Sequence, residues 1–291
     1  MSAQIIDGKK IAETIKQELK IQIERFVRAG YTPPGLAVIQ VGEDAASTIY
    51  VNHKKRACLD VGIKSFSYNL HEKTSAEELI NLLDSLNHQI DIHGILVQLP
   101  LPEHLREKQI LDFINPNKDV DGFHPYNTGR LTQGRPLLRP CTPYGIMKLF
   151  DHIHYDLKGK HAVMVGASNV VGKPMALELL MAGATITICH RHTKDLISHV
   201  QQADCLIVAC GKPNLVHGTW IKKGAVVIDV GINRLSNGTI IGDIDFESAK
   251  VQANWITPVP GGVGPMTVAM LMTNTFEAAR ISSNITVDLS N

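Results

Sequence analysis

Apolar residues recur near the start of the chain at Ile11, Ile15, Leu19, Ile23 and Phe26, the three-and-four spacing of a helix that buries one face. Asp7 is suited to cap its start and Gly30 to end it. The pattern then changes to a short continuous apolar run, Leu36–Val41, set between Pro33-Pro34-Gly35 and Gly42, which predicts a buried strand. A helix is expected from Ser47 to Val61 and a strand over Lys64–Leu70. Ser75-Ala-Glu-Glu78 has the form of a capping box opening a helix to about Asn87. Gly94–Leu99 reads as a further buried strand, halted by Pro100 and Pro102. Between about Asn115 and Pro143 the composition turns to Asn, Pro, Gly and Asp and the periodicity disappears. A loop of that length is usually functional or a linker, and a domain boundary is expected near its end.

A second series follows. His161–Val165, Thr185–Cys189, Cys205–Ala209 and Ala225–Asp229 are β-rich runs with helical stretches between them, the signature of a parallel, doubly wound sheet. A short strand is expected at Trp255–Thr257, then a glycine loop and a helix from about Thr267 to Arg280. The fold class is α/β in two domains.

Composition narrows the function. The 291 residues carry 29 Lys+Arg against 28 Asp+Glu, so neither a nucleic-acid scaffold nor a polybasic membrane binder is expected. No apolar run reaches the length of a membrane span, and the opening MSAQIIDGKK lacks a signal core. Five Cys without a CxxC pair point to a reducing cytoplasm rather than a disulfide framework. Thirteen His include His152-x-His154 and His190-x-His192, but no acid or Cys cluster completes a metal site, and none is expected.

After the strand ending at Val165 comes Gly166-Ala-Ser-Asn-Val-Val-Gly172-Lys-Pro174 and then an apolar helix. A glycine turn between strand and helix offers backbone N–H groups and a positive helix end to a phosphate. The match to GxGxxG is imperfect: Ser168 stands at the second glycine and the last is displaced by one. The next strand ends in Cys189-His190-Arg191-His192, without the acid that NAD binders use for the ribose hydroxyl. Arg191 suits a 2′-phosphate, so NADP is expected over NAD, although a surface arginine alone is as often merely solvated.

Tyr50 and Lys54 are four apart and share a helix face. A lone lysine is ordinarily a solvated charge; a closed pocket with an aromatic wall would let it shuttle protons. Gln98 lies where open α/β sheets bind ligands, and would either orient a lysine or satisfy backbone groups. Asp119-Val-Asp121-Gly-Phe123 puts two acids on the long loop, as turn formers or as a site. Pro258–Thr267 holds three glycines in four residues between prolines, whose bare backbone a ligand can approach.

Together these blocks resemble the bifunctional methylenetetrahydrofolate dehydrogenase/methenyltetrahydrofolate cyclohydrolases. The resemblance is carried by SxxYVxxKxxAC at Ser47–Cys58, GILVQLPLP at Gly94–Pro102, KDVDGFHPYNTGRL at Lys118–Leu131 and RPCTPxG at Arg139–Gly145. GASNVVGKP at Gly166–Pro174, VIDVGIN at Val227–Asn233 and TPVPGGVGPMT at Thr257–Thr267 complete it, in order over nearly the whole chain. It implies oxidation of 5,10-methylenetetrahydrofolate with NADP, then hydrolysis to 10-formyltetrahydrofolate. It implies Lys54 as the catalytic lysine, Gln98 as its holder and Asp121 on the pterin, with Tyr50 stacked on the aminobenzoate ring. Val97, Leu99, Pro260, Gly261, Gly262, Val263 and Gly264 would line the substrate, and Gly166, Ala167, Ser168 and Ile232 would contact NADP. Some members have Arg at the Ala167 position for the 2′-phosphate, so here that task moves to Arg191. The resemblance further implies a folate-binding domain of residues 1–140 plus 268–291, an NADP-binding Rossmann-like domain of 141–267, a cleft between them, and a homodimer paired through the coenzyme domains. A monofunctional dehydrogenase of the same fold and a non-catalytic NADP-binding protein are the competing readings.

Overall fold

The computed structural model describes residues 2–42 and 45–284, with the side chains of 45–50, 107 and 108 outside the described set. Its strands are β1 (Gln4–Ile5), β2 (Gly35–Val41), β3 (Lys64–Leu70), β4 (Gly94–Val97), β5 (His161–Val165), β6 (Thr185–Cys189), β7 (Cys205–Val208), β8 (Val226–Asp229), β9 (Asn233–Arg234), β10 (Ile240–Ile241) and β11 (Trp255–Ile256). The helices are α1 (Gly8–Arg28), α2 (Ala45–Val61), α3 (Ala76–His88), α4 (Glu107–Leu111), α5 (Pro125–Thr132), α6 (Cys141–His152), α7 (Gly172–Met181), α8 (Leu196–Gln201), α9 (Phe246–Gln252) and α10 (Val263–Ser282).

The chain divides into two compact units, Thr14–Cys141 with Val268–Asn291, and Met1–Glu13 with Thr142–Thr267. In the first, a parallel sheet runs in the order β3-β2-β4. Every residue of β2 is buried, which is why its sequence is an unbroken apolar run rather than an alternation. Helix α3 begins with the expected capping box: the Ser75 hydroxyl accepts from Glu78 N, and the Glu78 carboxylate accepts from Ser75 N at 2.8 Å. Its buried Leu79, Leu83 and Leu86 pack with Ile39, Ile95 and Val97 of the sheet, each such side chain contributing about 1.5–3 kcal/mol by leaving water.

The second unit holds a six-stranded sheet in the order β1-β11-β8-β7-β5-β6, parallel throughout. The order reverses at β5, whose neighbours are β6 and β7. Such a switch point is where open α/β sheets take their ligands.

Several elements depart from the sequence reading. The first thirteen residues, expected in the N-terminal domain, belong to the six-stranded unit: β1 pairs with β11, and Lys9 N donates to Gly261 O at 2.9 Å. Two residues of strand are too short to register as a pattern. The expected loop contains α5, with Pro125 in its first turn and the His124 ring nitrogen accepting from Tyr126 N at 3.0 Å. Proline at the first position is favourable, but Gly129 and two threonines mask the helix on propensity. Strand β4 stops at Val97, and α10 starts at Val263, four residues before the expected Thr267.

Candidate active site

In the unit of Thr14–Cys141, helix α2 buries Val51, Ala57, Cys58 and Val61 against the sheet. Lys54 lies three residues after Val51 and four before Cys58, so it falls on the buried stripe and is itself half-buried. Lys55 is half-buried as well, while Arg56 is exposed. The Lys54 Nζ donates to Gln98 Oε1 at 3.0 Å. The Gln98 amide is fixed at its other end, where Nε2 donates to Leu99 O at 2.7 Å, and its main-chain N–H donates to Ile39 O at 2.8 Å. Only one orientation of the amide gives each end its partner, so the oxygen is committed to the lysine. The Tyr50 side chain lies outside the described residues. Val97 is buried in the sheet core, whereas Leu99 is half-buried beyond the strand end.

The acidic loop lies along β4, with Ile95 N donating to Lys118 O at 2.8 Å. Its two acids differ in what they do. Buried Asp119 accepts from Phe123 N at 3.2 Å, from His124 N at 2.8 Å and from Asn127 Nδ2 at 2.9 Å, so it organises the turn. Asp121 lies beside the Lys54 charge and the Cys141 thiol, and burial pushes its carboxyl up to about 6 although Lys54 pulls the other way. Gly122, at φ +74°, lets the Arg139–Pro140 backbone approach: a Cβ there would stand 2.5 Å from Pro140 N. Asn274, which sequence reading did not single out, reaches from α10 to donate to both Val120 O and Arg139 O at 2.8 Å. Burial pushes the Cys58 thiol up to about 12 and the Cys141 thiol well above its usual range. Both remain protonated packing groups rather than nucleophiles.

In the other unit, the turn after β5 starts at Gly166, at φ +125°. A Cβ at Gly166 would strike Ala209 O, and one at Gly172 would strike Gly166 O and lie 2.8 Å from Ala167 Cα. Turn, helix start and the end of β7 are therefore packed backbone to backbone, a cradle shaped for close approach to a phosphate. The Ser168 hydroxyl oxygen accepts from Val171 N at 3.1 Å and Gly172 N at 3.3 Å. These two N–H groups, expected to be free, are thus satisfied internally, and the hydroxyl hydrogen is the donor Ser168 retains. After β6, His190 N donates to Thr193 Oγ1 at 2.8 Å, and the exposed Arg191 donates through Nε to His192 Nε2 at 3.0 Å. That bond uses the guanidinium's side and leaves its terminal fork. No acid interrupts the segment between Cys189 and Lys194. The residues present fit a phosphorylated dinucleotide.

Pro260, Gly261 and Gly262 lead into α10, whose first two residues are Val263 and Gly264. Gly262 could not carry a Cβ without meeting Pro258 O at 2.5 Å, and Gly261 has φ +106°. Ile232 is an exposed apolar side chain beyond β8, its Cδ1 3.9 Å from where a Gly264 Cβ would be.

Sequence reading also missed Asp229 and Asp243, both buried. Asp229 accepts from Gly231 N at 2.9 Å, Asp243 N at 3.0 Å and Ile244 N at 2.9 Å. Asp243 accepts from the N–H groups of Cys210, Gly211 and Lys212 at 2.7, 2.9 and 2.9 Å, and from Asn233 Nδ2 at 2.8 Å. Their partners are mostly backbone groups, which leave no residue-type signature; the glycines at 231 and 242, where a Cβ would strike the Asp243 and Asp229 carboxylates, are the trace they leave.

Comparison with known proteins also finds two parts, but at other bounds, with residues 6–13 grouped with the first part and 268–283 with the second. Residues 6–121 match the catalytic domain of tetrahydrofolate dehydrogenase/cyclohydrolase, and residues 140–283 match its NAD(P)-binding domain. The structure is similar to the bifunctional FolD methylenetetrahydrofolate dehydrogenase/cyclohydrolase of Campylobacter jejuni, at 50% identity and a TM-score of 0.95 over 96% of this chain and 99% of that one. It is similar to the Trypanosoma brucei enzyme, solved with NADP and an inhibitor, at 36% identity and a TM-score of 0.94 over 98% and 99% of the chains. The bifunctional enzyme of Thermoplasma acidophilum matches at 34% identity and a TM-score of 0.90, covering 97% of this chain and all of the other.

Proposed function

The chain belongs to the tetrahydrofolate dehydrogenase/cyclohydrolase family, and on that premise we propose that it is a bifunctional enzyme of one-carbon metabolism. It oxidises 5,10-methylenetetrahydrofolate to the 5,10-methenyl form with NADP, then hydrolyses the product to 10-formyltetrahydrofolate. The observation that carries this reading is the Lys54–Gln98 hydrogen bond, with the Asp121 carboxyl under the influence of the same lysine.

NADP, when bound, supplies the acceptor for the hydride that leaves the one-carbon bridge. The chain's residues hold it: the Gly166–Gly172 turn and the Ser168 hydroxyl take the pyrophosphate, Arg191 forks onto the 2′-phosphate, and Ile232 covers apolar surface. Asp121 accepts from the pterin's N–H groups and Tyr50 stacks on the aminobenzoate ring. Val97 and Leu99 line the substrate, Val97 through its main chain.

Oxidation leaves an amidinium carbon that water attacks. Lys54 takes a proton from that water as the C–O bond forms; the carbon–N5 bond then breaks with a proton passing to N5, which leaves the formyl group on N10 and releases one proton overall. Gln98 matters because a lysine free to swing loses the alignment such a transfer needs. Its oxygen holds one N–H and leaves the other positions of Nζ to face the water.

Five free cysteines support a reducing, cytoplasmic setting, and the near-neutral net charge of +1 supports small-molecule rather than nucleic-acid partners. No described helix is long and apolar enough to cross a membrane. The exposed Ile188 on edge strand β6 supports a homodimer paired through the coenzyme unit.

The test is to supply 5,10-methylenetetrahydrofolate with NADP or NAD in parallel and follow reduced coenzyme, methenyl and 10-formyl products. Reduction with NADP and 10-formyl product without methenyl build-up is expected. Methenyl accumulation would reduce the chain to a dehydrogenase and remove the base role from Lys54. No reduction by folded protein would favour a binding protein.

A further inference from the structure

Three turns lie in succession at the carboxyl edge of the six-stranded sheet, after the adjacent strands β5, β7 and β8. The first is pressed onto the second, where Gly166 meets Ala209 O. The second, Cys210–Lys212, gives all three of its N–H groups to the Asp243 carboxylate. The third is held at both sides of Ile232: Gly231 N donates to Asp229 Oδ1 at 2.9 Å, and Asn233 Nδ2 donates to Asp243 Oδ1 at 2.8 Å. Asp243 is itself held by Asp229, which accepts its main-chain N–H.

This is more fixing than an apolar surface residue needs. Ile232 is 49% exposed, and burying two carboxylates is costly unless their hydrogen bonds are filled. Here the filled bonds converge on a side chain left outside the core and on a turn whose backbone borders the switch point. Such an arrangement makes sense where a flat apolar ligand must meet a preorganised wall. Resting on the NADP reading above, we propose that Asp243, backed by Asp229, is a positioning residue for the coenzyme: it fixes the Cys210–Lys212 turn and the Ile232 side chain in the pose that NADP binding requires. Asn233 is the side chain through which that hold reaches Ile232. None of the three needs to touch the coenzyme.

Asp243→Asn keeps the size but sets an amide NH₂ against N–H groups that now donate to oxygen. Asn233→Ala removes only the link to Ile232, and its half-exposed position makes it the gentler variant if Asp243→Asn does not fold. In purified full-length protein, NADP binding is measured by calorimetry, alongside the KM for NADP in the dehydrogenase assay and the rate of hydrolysis of supplied methenyltetrahydrofolate. Hydrolysis requires no hydride transfer, so it separates a coenzyme role from loss of fold. The expected result is an NADP Kd and KM raised about tenfold or more by Asp243→Asn, and severalfold by Asn233→Ala, with hydrolysis within about twofold of the parent. Parallel loss of both activities with falling thermal stability in Asn233→Ala, or an unchanged NADP Kd in either folded variant, overturns the proposal. A parent that binds NADP without turnover would fault the enzymatic reading alone, since the variant Kd values still decide this one; a parent that does not bind NADP overturns both.

Discussion

Each unit of this protein places a pair of aspartates beside its parallel sheet, and the two pairs are treated differently. Asp229 and Asp243 are both saturated by N–H donors and joined to one another through a backbone bond. In the other unit the pair is split. Asp119 takes three N–H donors, while Asp121, two residues on, has the Lys54 and Asp119 charges and the Cys141 thiol as its neighbours among the described residues. A buried carboxylate whose oxygens are filled by its own chain is a structural brace; a half-buried one without that filling is open to another molecule. The local sequence does not separate the cases, since Asp-x-Asp-Gly suits turn chemistry at either acid. What separates them is the course of the following chain, because Phe123, His124 and Asn127 turn back onto Asp119 only once α5 has formed.

The largest effect is expected from removing the charge that makes Asp121 different. Lys54→Met should lower the rate of 10-formyl production by about 10²–10⁴-fold, the usual worth of a positioned base, with circular dichroism and melting temperature close to the parent. Full cyclohydrolase activity in that variant would sink the base role. The same change withdraws the influence that holds the Asp121 carboxyl down, so any pH inflection due to Asp121 should move upward. Next comes Asp119→Asn. Replacing an acceptor of three N–H groups by an amide should destabilise the fold by about 2–4 kcal/mol, read from denaturant unfolding, with both activities declining together as folded protein is lost.

Asp121→Asn should behave in the opposite way. Its carboxyl sits at about 6 in the folded protein against an ordinary 3.8, so the folded state binds the proton more tightly than the unfolded state. The stability this confers is present below the ordinary value and is lost as pH rises through about 6. An asparagine never ionises, so the variant should exceed the parent in stability by on the order of 1–2 kcal/mol above that pH, with the gap closing toward lower pH. Its kcat/KM should fall, and the parent's rise in kcat/KM through pH of about 6 should vanish in the variant. If instead Asp121→Asn unfolds the protein and Asp119→Asn leaves it stable, the division between brace and site is reversed.

Much of the frame is visible in residue patterns because it rests on local chemistry. The unbroken apolar run of β2, the capping box of α3 and the strand–glycine–helix order at Gly166 each depend on neighbours in sequence. Lys54 and Gln98 were separable only as options, a solvated charge or a pocket lysine, since their bond spans forty-four residues. Asn274 is less legible still: it braces the acidic loop across 154 and 135 positions, through carbonyl groups that every residue has. The same holds for Asp243, whose donors are thirty-one to thirty-three residues away on the backbone. Side chains that act on side chains leave motifs; side chains that act on backbone leave a glycine where space is short.

The smallest expected effect tests a group between these classes. Ser168 stands where a glycine would complete the dinucleotide motif, and its hydroxyl oxygen already holds Val171 N and Gly172 N. Like Asp119 it braces its own turn, yet unlike a carboxylate it keeps a hydrogen to donate. Ser168→Ala should therefore cost about 1 kcal/mol in stability, the net worth of a typical hydrogen bond. If its hydrogen meets the pyrophosphate, the KM values for NADP and NAD should rise together, by roughly two- to tenfold for one neutral bond, because both coenzymes carry that group. Arg191→Ala should instead raise the NADP value alone. A Ser168→Ala variant that loses stability but keeps both KM values would move Ser168 to the side of Asp119, as a brace and nothing more.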